Sequence, residues 1–204
     1  LPGSGKSTLG EWIGKLSTKL DLMIQVISLD DFYLPSEEMV IAMKGNPWNV
    51  PRGLPGSHSI DLLNKSLDTY LRTGKLKYPK FDKSLRNGLG DRYGWSESYP
   101  KILILEGWFV GCHPLTDRAK LNENSHDPNN FSLNEFECEY RHIIQDRLKP
   151  YMKIWSMFSK IWHLKSNNIK NTISWKTKQE NEMLKLKGSA LTGDKLSGFI
   201  RMIQ

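Results

Sequence analysis

The residues best suited to chemistry stand at the start of the chain, in the run Gly3-Ser4-Gly5-Lys6-Ser7-Thr8. Gly3 and Gly5 let main-chain N–H groups curve around a polyphosphate, because neither residue has a Cβ in the way. Lys6 can reach the β and γ phosphates of a nucleotide, and the Ser7 hydroxyl can bind Mg²⁺. The run therefore predicts a phosphate-binding loop that holds ATP and Mg²⁺ with these six residues. A glycine-rich turn ahead of a helix is the structural alternative.

Carboxylates follow both of the strands that are predicted to be buried. Asp30 and Asp31 come after the β-branched run 23–29, and Glu106 comes after the apolar run 102–105. Ligands of open α/β sheets bind beyond the carboxyl ends of the strands, so these side chains are expected beside the phosphates. Asp30 is the candidate base that takes a proton from an attacking hydroxyl, with Asp31 as its alternative, and Glu106 is expected to bind Mg²⁺ as a second metal ligand. A helix cap or a structural ion pair is the other interpretation of each carboxylate.

Two glycine-rich segments, about 35–59 and 78–98, are predicted to be substrate loops. They contain Arg52, Arg86 and Arg92. An arginine fork binds a carboxylate or phosphate through two parallel hydrogen bonds, which a lysine cannot match. Together the three arginines favour an anionic substrate, although each one alone could equally form a surface ion pair.

The remaining pattern predicts one α/β domain that positions these groups. Apolar residues recur every three to four positions up to Leu20, which indicates a helix directly after the loop. The full loop pattern G-x-x-x-x-G-K-[ST] begins one position before Leu1, so we expect the chain to start inside the loop and to lack the strand before it. Further expected elements are a helix from Ser59 or Asp61 to Gly74, a helix from Ser132 (with Glu135 in capping-box spacing) to Pro150, a short strand at 161–164, and two basic helices at 175–187 and 194–203.

Composition limits the classes of function. The 204 residues are 38% hydrophobic and 25% charged, and no run approaches the ~18 apolar residues of a membrane span. The net charge is +7, and most of it lies between Lys160 and Gln204, as expected for a basic lid over ATP or for a solvated lysine-rich face. No nucleic-acid-binding motif accompanies this charge. The two cysteines, Cys112 and Cys138, lack the spacing of a zinc site.

Several motifs together resemble one family. The chain is similar to the P-loop kinases related to phosphoribulokinase and uridine kinase, and most closely to plant-type D-glycerate 3-kinase. The similarity covers almost the whole chain. It rests on the phosphate loop, Ser28-Leu29-Asp30-Asp31-Phe32-Tyr33, Arg52-Gly53-Leu54-Pro55-Gly56-Ser57-His58, Phe81-Asp82-Lys83-Ser84 with Arg86-Asn87-Gly88, Glu106-Gly107-Trp108, and Trp175 followed by Gln179-Glu180.

The resemblance implies a fold, a reaction and a set of site residues. The expected fold is a three-layer P-loop kinase fold with a mostly parallel sheet, helices on both faces and a lid at about 170–195. All 204 residues are expected to form one domain, and members of the family are expected to continue beyond its C-terminal residue. The expected reaction is ATP- and Mg²⁺-dependent phosphorylation of D-glycerate to 3-phosphoglycerate. Lys176 takes the place of the family's lid arginine as an ATP ligand. The expected catalytic residues are Asp30, Lys6 and Glu106, and the expected substrate-binding residues are Asp31, Tyr33, Arg52, His58, Asp82, Lys83, Arg86 and Arg92.

The partners implied are ATP and D-glycerate, without nucleic acid or membrane, in a bacterial cytoplasm or, for a plant protein, the plastid stroma. The oligomeric state is open. Two alternatives also stay open. The first is another kinase of the same group, acting on a nucleoside or a pantothenate-like alcohol, for which Tyr33, Trp48 and Trp108 could supply an aromatic slot. The second is an ATP-binding protein without catalysis, which would need neither Asp30 nor Glu106.

Overall fold

The computed structural model describes residues 4–117, 121, 133–164 and 169–203. These segments form four strands and seven α-helices, and a 3₁₀ turn at Leu29–Phe32 directly follows the first strand. The elements in chain order are α1 (Lys6–Lys19), β1 (Ile24–Ser28), α2 (Ser36–Met43), α3 (Ile60–Thr73), β2 (Leu76–Asp82), β3 (Asp91–Ser98), β4 (Ile102–Glu106), α4 (Glu135–Leu148), α5 (Met152–Trp155), α6 (Ile169–Lys187) and α7 (Gly193–Ile203).

Strand pairing brings the predicted carboxylates to one edge. β1 runs parallel to β4, with Ser28 opposite Glu106 at their carboxyl ends. The predicted α/β class with a parallel sheet is therefore confirmed. In the described part of the chain this sheet has two strands, while β2 and β3 form a separate antiparallel pair. The turn that carries Asp30 begins one residue after Ser28, so it starts at the edge where β4 ends.

Helix α1 confirms the predicted helix, but a different face packs on the sheet. Leu9, Leu16 and Leu20, whose spacing suggested a buried stripe, are 42%, 50% and 63% exposed. The buried residues of α1 are small. A Cβ on Gly10 would come within 3.0 Å of Val26 Cγ1, and Ser17 Oγ accepts a hydrogen bond from the Ile24 N–H at 3.1 Å. Small side chains therefore bring the helix, and the phosphate loop at its start, close to β1.

Four predicted elements differ from the structure. The segment 35–59 was expected to be a loop, yet it contains α2, which has Glu37 and Glu38 in its first turn and buries Met39 and Met43 one turn apart. The segment 78–98 lies largely in the β2–β3 hairpin.

The other differences concern α4 and the predicted strand at 161–164. The capping box of α4 uses Asn134 and Glu137, two positions after the predicted Ser132 and Glu135, and Ser132 lies outside the described residues. Residues 161–164 form no strand and are exposed.

Two apolar clusters stabilise the framework. The first lies around β1, β4 and α3 and includes Ile27, Phe32, Leu63 and Tyr151. The second joins α2, α4 and α7, and includes Met39, Trp48, Tyr140 and Phe199. No helix in the described segments is both long and apolar enough to span a membrane.

Candidate active site

The start of α1 keeps the geometry expected of a phosphate loop. Gly5 adopts a left-handed φ of 82° as the N-cap of α1, a conformation that favours glycine. Lys6 Nζ donates to Ser4 Oγ at 3.3 Å, and Ser7 and Thr8 are exposed in the first turn. Gly3 lies outside the described residues. The first N–H groups of a helix have no acceptor within the helix itself, and its N-terminus is the positive end of its dipole, so the start of α1 suits an anion.

The two predicted metal ligands contact each other. Ser7 Oγ donates a hydrogen bond to Glu106 Oε1 at 2.9 Å, which links the first turn of α1 to the end of β4. No group of three or more His, Cys, Asp or Glu side chains suited to a metal occurs among the described residues. One hydroxyl and one carboxylate match the few protein ligands that Mg²⁺ takes when phosphates and water complete its shell.

Asp30 lies in the 3₁₀ turn after β1 and contacts a cation from the hairpin. Lys83 Nζ is 2.5 Å from Asp30 Oδ2, and the backbone N–H of Asp30 donates to Ser28 Oγ at 3.2 Å. Burial by itself raises the pKa of Asp30, but the charge and hydrogen bond of Lys83, aided by a hydrogen bond from Tyr33, outweigh burial and hold this pKa well below its ordinary value. Asp30 is therefore an ionised carboxylate at neutral pH.

Lys6, Asp30, Glu106 and Lys83 form one electrostatic group. Burial lowers the pKa of Lys6, the negative charges of Glu106 and Asp30 raise it, and the positive charge of Lys83 lowers it further. Glu106, Asp30 and Lys83 therefore each lie within electrostatic range of Lys6. The charges of both carboxylates predicted to be catalytic thus act on the lysine of the phosphate loop.

Asp31 has different surroundings from Asp30. Its Oδ1 accepts from the Phe81 N–H at 3.3 Å, and its Oδ2 is 3.7 Å from Lys80 Nζ. Burial raises the pKa of Asp31, and Lys80 only partly offsets this effect. Asp31 therefore fastens the turn to β2, whereas Asp30 pairs with Lys83 and its charge acts on Lys6.

Tyr33 and His58 form a stacked pair next to Asp30. Their ring centroids are 4.5 Å apart and the rings are nearly parallel. Tyr33 hydrogen-bonds the Asp30 carboxylate, while burial and the Asp30 charge raise the pKa of Tyr33 well above its ordinary value. Burial lowers the pKa of His58 to about 4 although the charge of Asp30 opposes this shift. Both rings are therefore neutral at physiological pH.

The three predicted substrate arginines are not equivalent. Arg52 is 4% exposed, and its NH1 donates to the carbonyls of Gly88 and Leu89 at 2.6 and 3.0 Å. Arg92 Nε donates to the Tyr33 carbonyl at 3.0 Å, while its NH2 is buried without a partner among the described residues. Arg86 is 67% exposed and pairs with Asp91 at 3.1 Å. Arg92 thus contacts Tyr33, Arg52 binds the turn of the hairpin, and Arg86 lies on the surface of that turn.

Asp82 is engaged within its own turn. Its Oδ1 accepts hydrogen bonds from the backbone N–H and the hydroxyl of Ser84, at 2.9 and 2.7 Å. This local turn orders the segment that presents Lys83. Asp82 therefore supports the position of Lys83 through the backbone.

Lys176 is the residue of the basic helix α6 that was predicted to bind ATP. It is 6% exposed, pairs with Glu180, and its Nζ lies 4.6 Å from the centre of the Phe199 ring. Burial lowers the pKa of Lys176, Glu180 raises it, and the positive charges of Lys83 and Arg52 lower it. This predicted ATP ligand therefore lies within electrostatic range of Lys83 and Arg52.

The sequence analysis assigned no role to the residues that hold these groups in place, although Glu180 stands in one of the quoted motifs. Glu180 also accepts the Leu191 N–H at 2.9 Å, which fixes the segment between α6 and α7. Glu137 accepts two hydrogen bonds from Arg201, at 2.8 and 2.7 Å, and one from Trp48 Nε1 at 2.9 Å. Such pairings between distant segments leave no local pattern. Only the capping box of Asn134 and Glu137 has a local sequence pattern, and the prediction placed that pattern at Ser132 and Glu135.

Three of the known proteins that resemble this chain are two curated kinases and one solved structure. The chain is 30% identical over 198 residues to the uncharacterized kinase mug58 of Schizosaccharomyces pombe, covering 89% of this chain and 68% of that protein. It is 26% identical over 213 residues to the chloroplastic D-glycerate 3-kinase of Arabidopsis thaliana, covering 97% of this chain and 43% of that enzyme. The solved D-glycerate 3-kinase of Cryptococcus neoformans has 26% identity and a TM-score of 0.78, over 93% of this chain and 70% of that chain. No protein-family model matches the chain.

The fold and the site define a P-loop kinase, with a phosphate loop, a lysine, and strand-end carboxylates at one edge. The chain belongs to the kinase family that includes mug58 and the D-glycerate 3-kinases. It is an ATP-dependent kinase of small molecules, as predicted from its motifs.

Proposed function

We propose that the protein transfers the γ-phosphoryl group of ATP to a hydroxyl of D-glycerate and forms 3-phosphoglycerate. The two relatives named D-glycerate 3-kinase support this substrate. The observation that carries the proposal is the ionised carboxylate of Asp30, which pairs with Lys83 and lies in the field of Lys6. A carboxylate held next to the phosphate-loop lysine has the place that a proton acceptor for the attacking hydroxyl requires.

Lys6 and Lys176 are the cations that we propose for ATP. Lys6 follows Gly5 at the start of α1 and would neutralise charge on the β and γ phosphates. Lys176 lies within electrostatic range of Lys83 and Arg52, and its pairing with Glu180 would be exchanged for a phosphate oxygen when ATP binds. We further propose that α6 and the segment up to α7 act as the lid of a single kinase domain.

Ser7 and Glu106 fit the requirements for Mg²⁺. Their oxygens are 2.9 Å apart, both are hard ligands, and they flank the start of α1 where phosphates would bind. Bound there, Mg²⁺ would neutralise charge on the phosphate oxygens. Ser7 would supply a neutral oxygen and Glu106 a negatively charged one. Because the protein would supply only these two ligands, the other coordination positions of Mg²⁺ would be left for phosphate and water.

The acceptor would bind between Lys83, His58, Arg52 and Arg92. Lys83, the buried Arg52 and the half-buried Arg92 supply positive charge for a small carboxylate, and Arg92 has a buried NH2 without a partner in the described segments. The aromatic slot of a nucleoside kinase has less support, because its three candidate rings are engaged elsewhere. Tyr33 stacks on His58, Trp48 Nε1 donates to Glu137, and Trp108 Nε1 donates to the Gly53 carbonyl at 2.8 Å.

The setting that we propose for the reaction is the cytoplasm, or the plastid stroma if the source is a plant, since the plant relative is named chloroplastic.

Coupled measurement of ADP release, with and without D-glycerate, tests the function. We expect ADP release that depends on D-glycerate and exceeds the release with uridine or pantothenate as acceptor. Lys6→Ala is the matched control, because no other side chain of the loop can replace its charge at the phosphates. ADP release that does not depend on D-glycerate would contradict the proposal. Turnover by the Lys6→Ala variant within about tenfold of the parent would also contradict it.

A further inference from the structure

His58 contains a buried ring nitrogen without a hydrogen-bond partner. The side chain is 4% exposed, and its Nε2 contacts no acceptor or donor among the residues that the structure describes. The other ring nitrogen, Nδ1, lies 2.8 Å from the Tyr151 hydroxyl. Buried polar atoms are almost always paired, so an unpaired one calls for an explanation. The explanation depends on which nitrogen carries the proton.

Tyr151 decides the tautomer of His58. The Tyr151 oxygen accepts a hydrogen bond from the Gly56 N–H at 3.1 Å and interacts with the backbone N–H of His58. If Nδ1 also donated to this oxygen, the hydroxyl proton of the fully buried Tyr151 would have no acceptor. The hydroxyl therefore donates to Nδ1, and a neutral imidazole with an acceptor at Nδ1 carries its proton on Nε2.

Ser57 does not compete for this role. Its hydroxyl lies 3.5 Å from His58 Nδ1, at the limit of hydrogen bonding. The Ser57 hydroxyl donates its proton to the Leu54 carbonyl at 2.5 Å. Burial lowers the pKa of His58 to about 4, so the ring stays neutral near pH 7. The unpaired atom is thus a neutral N–H donor.

The donor lies beside the proposed catalytic carboxylate. His58 stacks on Tyr33, Tyr33 hydrogen-bonds Asp30, and the charges of Asp30 and Lys83 both act on the imidazole. The acceptor substrate must place its reacting hydroxyl near Asp30 if Asp30 takes the proton. An oxygen of a substrate bound there would supply the partner that Nε2–H lacks among the described residues.

We propose that Tyr151 is a positioning residue that holds His58 as the Nε2–H tautomer, and that this N–H donates a hydrogen bond to an oxygen of the acceptor substrate. The ligand half of this proposal rests on the D-glycerate 3-kinase function proposed above. The assignment of the His58 tautomer is independent of that proposed function. A neutral donor adds directional recognition of a hydroxyl or carboxylate oxygen to the charge supplied by Lys83.

Nuclear magnetic resonance of the ¹⁵N-labelled protein tests both halves. Long-range ¹H–¹⁵N correlations are expected to show His58 protonated at Nε2, and addition of D-glycerate is expected to shift the Nε2 resonance more than the Nδ1 resonance. Protonation at Nδ1 would overturn the role of Tyr151. An Nε2 resonance that D-glycerate leaves unmoved would mean that this N–H binds water only, and would overturn the ligand half.

Kinetics of matched variants provides the second test. Tyr151→Phe and His58→Phe are expected to raise the KM for D-glycerate about three- to tenfold, the loss of one neutral hydrogen bond, without changing the KM for ATP. His58→Gln, which keeps an amide N–H near the Nε2 position, should restore part of the loss. Tyr140→Phe is the control, since it removes another buried hydroxyl, which accepts from Arg147 at 2.8 Å, and should leave both KM values unchanged.

The outcomes separate this proposal from the proposed function. ADP release that depends on D-glycerate, with an unchanged KM for D-glycerate in His58→Phe, would overturn the ligand half while the function stands. Absence of such release from the parent protein would overturn the function and the ligand assignment together. If Tyr151→Phe fails to fold, the spectrum of the parent protein still decides the tautomer.

Discussion

Lys83 Nζ lies 2.5 Å from Asp30 Oδ2 and joins the turn of the β2–β3 hairpin to the carboxyl end of β1. The two residues are 53 positions apart in the chain. Asp31, the neighbour of Asp30, pairs instead with Lys80 at 3.7 Å. Two adjacent carboxylates therefore bind two different lysines of the same hairpin, and only Asp30 acts on the phosphate-loop lysine in a group with Glu106 and Lys83.

Removal of Lys83 is expected to change the pH dependence of catalysis. Lys83 opposes the effect of burial on Asp30, so Lys83→Met should raise the pKa of Asp30. A base works only when it is deprotonated, and the acid limb of kcat/KM should therefore move to higher pH in this variant. Lys80→Met is the matched control and should keep the acid limb of the parent. An unmoved acid limb in Lys83→Met would refute this assignment of Asp30.

Arg52 and Arg86 are expected to respond differently to replacement by lysine. Arg52 NH1 donates to two carbonyls from a buried position, and Arg52→Lys should destabilise the fold by about 1–3 kcal/mol and raise the KM for D-glycerate. Arg86→Lys should stay within about 0.5 kcal/mol of the parent, because Arg86 is exposed. Urea unfolding and KM values measure both effects. Equal losses in the two variants would contradict this distinction and favour the predicted role of Arg86 in substrate binding.

Acid is expected to destabilise the protein partly through His58. The folded-state pKa of His58 is about 4 against an ordinary value of 6.5, so below pH 6.5 the unfolded state binds more protons. His58 therefore costs no stability above pH 6.5, and its contribution falls progressively until pH 4, by about 3 kcal/mol in total.

Urea unfolding of the parent and of His58→Gln, compared between pH 7 and pH 4.5, measures this effect. The variant lacks a titrating ring and should lose less stability on acidification than the parent. Parallel losses in both proteins would show that other groups cause the acid sensitivity.

The parts of the site that the sequence predicts are those with a local pattern. The phosphate loop, the carboxylates after β1 and β4, and the cap of α3 by Gly74 at a φ of 72° each follow from neighbouring residues. A parallel sheet brings strand ends to one edge, so Asp30 and Glu106 could be expected near Lys6 without knowledge of the full topology.

The parts that sequence reasoning missed depend on contacts between distant segments. Nothing near Asp30 in the chain indicates Lys83 as its partner, and nothing near His58 indicates Tyr151. The apolar spacing of α1 was misleading, because Gly10 and Ser17 form the side that approaches β1. Glycines and a cluster of Arg, Lys and Asp residues suggested a loop where the structure has the β2–β3 hairpin. Packing, rather than local propensity, determined each of these features.

The central claim is that Asp30 accepts the proton of the attacking hydroxyl. Comparison of the kcat values of the Asp30→Asn and Asp31→Asn variants tests this claim most directly. Asparagine keeps the shape of Asp30 and removes the base. The kcat of Asp30→Asn should fall by about 10²–10⁴-fold while ATP binding, measured by calorimetry, stays nearly unchanged. Asp31→Asn should lose less than about tenfold in kcat, since Asp31 contacts the Phe81 backbone and Lys80 instead. A large loss in Asp31→Asn with near-parental turnover in Asp30→Asn would contradict the account.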